Sequence, residues 1–314
     1  MKAVIAGASG FIGSALSEHL RDLQDDKGGA DTVVNLVRMT PGDRSNPVFR
    51  DLSPVRAPWN PNEGVLDPSV IADCDAVIVL NGAPIIGRRW TNTYKRRLIA
   101  SRLDPVRTVV QAIAKLPEAE RPRRLITGSA VGYYGSRSDE LLTEDAAPGS
   151  DFLAKLCGRW EAEGERVTAY GVAHTALRTG LVFGEDGGMY PLLATVFKAG
   201  LGGRLGSGAQ WMPTITIRDY VRAVAHIIDH EISGPVNMVA SEPIRNRDFT
   251  RIFAAHLHKP AVAAVPECAI RAVLGEASAV ALSSQRCIPE KLHDSGFVFE
   301  SPDFEAIAAE LLHA

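Results

Sequence analysis

The stretch Gly7-Ala8-Ser9-Gly10-Phe11-Ile12-Gly13 constrains the fold more than any other. It follows the apolar run KAVIA (2–6) directly and opens the amphipathic stretch FIGSALSEHLRDL (11–23). A short apolar run ending in glycine reads as a buried strand, and apolar residues at helical spacing read as a helix packed on it. In such a strand–turn–helix unit, Gly7 permits the tight turn. Gly10 lets the backbone approach a diphosphate, and Gly13 lets the helix pack close to the sheet. The helix start, from Phe11 and Ile12 onward, offers free N–H groups and a partial positive charge to phosphate oxygens. A lone glycine triplet is a weak signal; one with a strand before it and a helix after it points to a dinucleotide.

The alternation continues. TVVNLV (32–37), DAVIVL (75–80), RRLIT (123–127) and HTALRT (174–179) read as strands, and 93–116 and 151–170 have helical spacing. Pro105 is expected to break or kink the first of those helices. The prolines of 40–65 predict an irregular segment. Strands alternating with helices predict an α/β fold, a Rossmann-type doubly wound parallel sheet. Beyond about residue 185 the chain becomes glycine-rich, with helices expected at 218–230, 247–257 and 303–312 and a strand at 235–240. The division expected is a nucleotide-binding domain over 1–184, with 211–240 a possible return to its sheet, and a smaller substrate-side domain over 185–314.

Which nucleotide is a question for the second strand. NAD binders place a carboxylate near its end to hold the ribose 2′-OH. Here the strand ends Leu36-Val37-Arg38. A guanidinium suits a 2′-phosphate, because its planar fork pairs with phosphate oxygens, so NADP (NADPH) is the expected cofactor. Arg97 and Arg102 add positive charge nearby. Leu80-Asn81-Gly82-Ala83 follows another strand, at the sheet edge where ligands of open α/β sheets sit.

Net charge is −3, which gives no general basic field for nucleic acid or a membrane surface. No apolar run approaches the roughly 18 residues of a membrane span. The four cysteines, Cys74, Cys157, Cys268 and Cys287, lack metal-ligand spacing and any disulfide pattern, and no metal is expected. These features predict a cytoplasmic protein, monomer or homodimer, acting on a small molecule.

Together, GASGFIG (7–13), LNGAPI (80–85), RRW (88–90), GSAVGYYG (128–135), LCGRWE (156–161), LRTGLVF (177–183), LGGRLGSGAQ (201–210), RDYVRA (218–223) and the C-terminal SSQRCIPEKLHDSGFVF resemble one family. It is the extended short-chain dehydrogenase/reductase superfamily, in its atypical branch of "epimerase family" proteins, some described as cell-division-inhibitor-like. The resemblance implies that Val37, Arg38, Leu80, Asn81, Arg97 and Arg102 face NADP. Two departures stand out: Ala83 where the branch has an acidic residue, and Pro213-Thr214-Ile215-Thr216-Ile217 where it has tryptophan-isoleucine-histidine-isoleucine.

In ordinary extended reductases a Tyr-xxx-Lys pair and a Ser or Thr handle the proton. Alignment on Tyr134-Gly135 puts Ala130 at the Ser/Thr position, Phe152 at the tyrosine and Leu156 at the lysine. A phenyl ring donates no proton. The replacements expected are Ser129 with Tyr133 or Tyr134, with Lys155 as the neighbouring cation. The competing expectation is that both tyrosines only pack. Other residues read as secondary: Cys157 as a buried apolar group, Glu161 as an anchor, His174 and His226 as structural. Arg178 could pair with an acidic substrate or with a carboxylate of the protein. Trp211 and Met212 are expected to wall a pocket, and Gly184–Gly188 to form a movable lid. Two functions remain open. One is an NADP-dependent oxidoreductase or epimerase with a non-standard acid–base site; the other is an NADP(H)-binding regulatory or sensor protein.

Overall fold

The computed structural model describes residues 1–26, 32–39, 56–261 and 263–313. Strand β1 (Lys2–Ala6) leads through the glycine turn into helix α1 (Phe11–Asp26). Strands β2 (Thr32–Arg38), β3 (Arg56–Trp59) and β4 (Ala76–Val79) follow, then helix α2 (Asn92–Lys115) and strand β5 (Arg124–Ala130). Helix α3 (Phe152–Glu165), strand β6 (Ala173–Thr179), helix α4 (Tyr190–Lys198), helix α5 (Ile217–Asp229) and strand β7 (Gly234–Met238) complete the main body. The seven strands form one parallel sheet in the order β7-β6-β5-β4-β1-β2-β3. The chain reverses direction across the sheet between β1 and β4, which is the ligand-binding point of this fold.

Both faces are covered, so the central strands are apolar throughout. Val4 and Ala6 point into the core beneath α2 and α3, while Ala3 and Ile5 point into the core beneath α1 and α5. Alternate residues thus fill opposite layers.

Two expectations need correction. Within 40–65, residues 56–59 are not irregular: Arg56–Trp59 is a parallel strand on β2, in register from Asn35↔Arg56 to Arg38↔Trp59. Pro58 is compatible with it because β3 is an edge, where one N–H is not required, and Trp59 is buried. Residues 40–55 lie outside the described residues. Nor does Pro105 divide α2, which runs unbroken through it. Thr91 caps that helix by accepting from Tyr94 N at 3.2 Å. Leu98, Val106, Val109 and Ile113 are all buried in the core, and this packing outweighs the roughly 3 kcal/mol that an interior proline costs.

The remainder forms a cap at the strands' C-terminal ends. Helix α6 (Asn246–His256) and the last helix, Phe304–His313, share a phenylalanine cluster of Phe183, Phe197, Phe249, Phe253 and Phe304. Helix α7 (Glu267–Leu274) and the turns after it reach back toward α2 and α3.

Candidate nucleotide edge and active-site cleft

At the glycine turn, Gly7 has φ +95°. A Cβ there would stand 3.1 Å from the Leu80 carbonyl carbon. A Cβ on Gly13 would lie 2.2 Å from the Gly7 oxygen, so α1 can seat on β1 only without one. The first turn of α1 contains no acidic residue, leaving its positive end uncompensated. Across the turn, Leu80 N donates to Ala6 O at 2.9 Å. Asn81 Oδ1 is buried there without a hydrogen-bond partner among the described residues. Arg38 is exposed at the end of β2, Val37 and Ile12 are half-buried, and Arg97 is exposed on α2. An anion-attracting helix end, a close glycine turn, an orphan amide oxygen and an exposed guanidinium on one sheet edge fit a phosphorylated dinucleotide.

Arg102 behaves differently from Arg97. It is buried, with Nη2 donating to Ala83 O at 3.2 Å and Nη1 to Leu98 O at 3.1 Å. Burial depresses its pKa. A Cβ on Gly82 would meet this guanidinium at 3.2 Å. Arg102 therefore braces the Leu80–Ala83 segment from within the protein. Gly184–Gly188 is not a free lid either. Gly184 and Gly187 pair antiparallel, and a Cβ on Gly184, Gly187 or Gly188 would come within 2.6, 2.3 or 2.9 Å of the Phe11 ring. The glycines form a hairpin seated on Phe11.

The segment SAVGYYG ends β5 and forms a tight turn, Val131–Tyr134. Ser129 Oγ donates to Glu161 Oε1 at 2.6 Å. Glu161 also takes a two-pronged bond from Arg178, Nε at 3.0 Å and Nη2 at 2.9 Å. Arg178 Nη1 donates to Tyr134 Oη at 2.9 Å and to Glu144 O at 2.8 Å. Tyr134 Oη donates to Asn237 Oδ1 at 2.7 Å, and Asn237 N donates to Glu144 Oε1 at 2.9 Å. Tyr134 is fully buried, and desolvation drives its pKa up despite the neighbouring Arg178. Ser129 and Tyr134 thus belong to a closed polar network that ties α3 to β5, β6 and β7. Glu161 is an anchor, and the partner of Arg178 is a carboxylate of the protein. Tyr133 is half-buried, and the Arg178 guanidinium carbon lies 3.6 Å from its ring centre. Lys155 is exposed on α3, so the cation beside the tyrosines is Arg178.

Phe152 and Leu156 occupy the first turns of α3. Phe152 packs 5.4 Å from Trp90 with Lys95 Nζ 5.0 Å from its ring centre, and Leu156 is buried. Phe152 lines a cleft of about 520 Å³ with Trp90, Asp151 and Leu153 on one side and Arg271, Glu276 and Leu282 on the other. Cys157 is buried, its thiol pushed up to about 12 by desolvation. His174 bridges Thr127 and Glu165, and His226 bonds Ser295. Trp211 is pinned by Asp139 and lies outside the cleft lining. Asn237 and Glu144 escaped the sequence reading. The one signal for Asn237 was an amide inside the apolar run PVNMVA; Glu144 had none.

Comparison with known proteins agrees with this architecture. Residues 265–311 match a domain of unknown function (DUF1731). "Epimerase family protein Mb2239" of Mycobacterium bovis is 38% identical over 297 residues, covering 94% of this chain and 92% of that protein. Human "epimerase family protein SDR39U1" is 30% identical over 317 residues, 99% of this chain and all of that protein. A crystal structure of the human protein (isoform2), solved with NADPH, superposes with a TM-score of 0.83 at 27% identity, covering 99% of each chain. Residues 3–239 match the model of the NAD dependent epimerase/dehydratase family, and this chain belongs to that family.

Proposed function

We propose that the protein binds NADP(H) along the C-terminal edge of its sheet and catalyses hydride transfer, or a redox-linked isomerisation, on a small polar molecule held in the Phe152 cleft. The observation that carries this is the assembly, on one sheet edge, of the glycine turn, the orphan Asn81 Oδ1, exposed Arg38 and an open cleft. The NADPH-bound human relative supports the choice of cofactor. When bound, NADP(H) supplies the hydride chemistry. The residues that would hold it are the N–H groups at the start of α1 for the diphosphate, Asn81 for the ribose and Arg38 for the 2′-phosphate.

Proton handling falls to Tyr133. Ser129 and Tyr134 are committed to the Glu161–Arg178–Asn237 network, whereas the Tyr133 hydroxyl has no partner among the described residues. Arg178, stacked on its ring, fixes its orientation. Ser136, three residues further on, already lines the cleft. A second reading, cofactor binding without turnover, is favoured by Phe152 standing where the usual proton donor would be.

The test is a titration with NADPH and NADH, followed by nicotinamide absorbance in the presence of a panel of small carbonyl compounds and sugars. NADPH-selective binding with turnover that Tyr133→Phe abolishes supports the enzyme. Selective binding with no turnover moves the reading to the sensor, and no binding of either nucleotide overturns both.

A further inference from the structure

Near the cleft stands an arginine that, among the described residues, no acid holds by a hydrogen bond or ion pair, although Asp139 lies close enough to act on it electrostatically. Arg286 sits in a two-residue bridge to Leu141. Its Nε is buried without a partner, and among the described residues its guanidinium makes no hydrogen bond or ion pair. Its neighbour is the indole of Trp211, with the guanidinium carbon 4.9 Å from the ring centre. Arg245 stacks on the same indole at 4.3 Å. Among the described residues the one carboxylate bonded to this group, Asp139, is shared between Trp211 Nε1 at 2.8 Å and Arg245 Nη2 at 2.8 Å. Arg245 Nη1 is taken by Ala209 O at 2.6 Å. Two guanidiniums therefore share one neighbouring carboxylate, which hydrogen-bonds Arg245 and leaves the Arg286 donors unpaired among the described residues.

A structural arginine normally ends on a carboxylate or a carbonyl, because unmet buried donors are unfavourable. Here the guanidinium lies over an indole and, among the described residues, its fork is unpaired, the arrangement that takes an oxyanion by paired N–H bonds. Its position adjoins the cleft. Ser284 N donates to Ser136 Oγ at 3.1 Å, Trp211 N donates to Ser284 Oγ at 3.1 Å, and both Ser136 and Ser283 line the cleft wall.

We propose that Arg286, presented on Trp211 beside Arg245, binds an oxyanion, phosphate or carboxylate, of the molecule that enters the cleft. This assignment rests on the preceding section only in taking the cleft as the substrate site.

The experiment is calorimetric titration of the full-length protein with inorganic pyrophosphate and, separately, with benzoate. It is run with and without saturating NADPH, so that an anion seated at the glycine turn reveals itself by competition. An anion that binds the wild type without competing with NADPH, and binds Arg286→Gln at least about tenfold more weakly, supports the assignment. Arg286→Lys, which keeps the charge but loses the fork and the stacking, is expected to fall between them. It decides the matter if thermal melts show that the glutamine variant is unfolded. Pyrophosphate binding alone marks a phosphate, benzoate alone a carboxylate. Equal affinity in wild type and variants, or no NADPH-independent binding of either probe, overturns the proposal. Failure of NADPH itself to bind strikes the cofactor reading and leaves the Arg286 comparison intact.

Discussion

At the residue scale, Arg178 joins α3 to the turn after β5 and to Glu144. It is 3% exposed, and its partner Glu161 is 15% exposed. Removing one member of a buried ion pair strands the other, which costs more than the pair contributes. Glu161→Ala is expected to lower stability by about 3 kcal/mol in urea unfolding, with an unchanged denaturant slope. Glu144 carries the opposite sign. Desolvation raises its pKa above the ordinary 4.5, and its Oε2 has no hydrogen-bond partner among the described residues. A carboxyl group whose pKa is raised by folding favours the folded state fully below its unfolded pKa and loses that advantage as pH climbs through the folded value. Glu144→Gln keeps an acceptor for Asn237 N without a buried charge. Its stability relative to wild type is expected to grow as pH rises from about 4.5 and then level off, as thermal melts across that range would show. Arg38→Ala should weaken NADPH about 10- to 100-fold and leave NADH unchanged, and equal losses for both nucleotides would refute its pairing with the 2′-phosphate.

At the element scale, the seat of α1 on β1 decides whether the nucleotide edge exists. Gly13→Ala places a methyl group against backbone that no rotamer change can move. The expected result is a loss of about 1–3 kcal/mol of stability and a drop in NADPH affinity that Ser14→Ala does not share. This seat was legible in the sequence because glycine spacing and apolar periodicity are local signals. β3 was not, because its strand character comes from pairing with β2 and burying Trp59 while Pro58 argues against it locally. The continuity of α2 was hidden for the same reason: Pro105 is a local breaker whose cost is met by contacts distant in sequence. The site shows the same divide. Tyr133 and Tyr134 were visible as a pair, yet only the fold separates them, placing one on Asn237 inside the protein and the other half-exposed on Arg178.

At the scale of the whole molecule, the nucleotide edge stands on β1, β2 and β4 of the main sheet, so ligand binding should be felt throughout. NADPH at a hundred times its Kd is expected to stabilise the protein by about 2.7 kcal/mol, read as a rise in Tm that NADH at the same concentration does not give. The cap resisted sequence reading because its short strands and turns are held by partners far away, as when Ser284 joins Ser136, Ser138 and Trp211. The late arrival of β7 has a consequence for synthesis. Its partner β6 ends at Thr179, but β7 begins only at Gly234, after the hairpin on Phe11, α4 and α5. Until the ribosome has released residue 238, β6 presents a bare row of backbone donors and acceptors, the kind of edge through which chains pair with one another. A fragment stopped anywhere from 184 to 233 should therefore aggregate, whereas one carried just past 240 should keep its main sheet in solution.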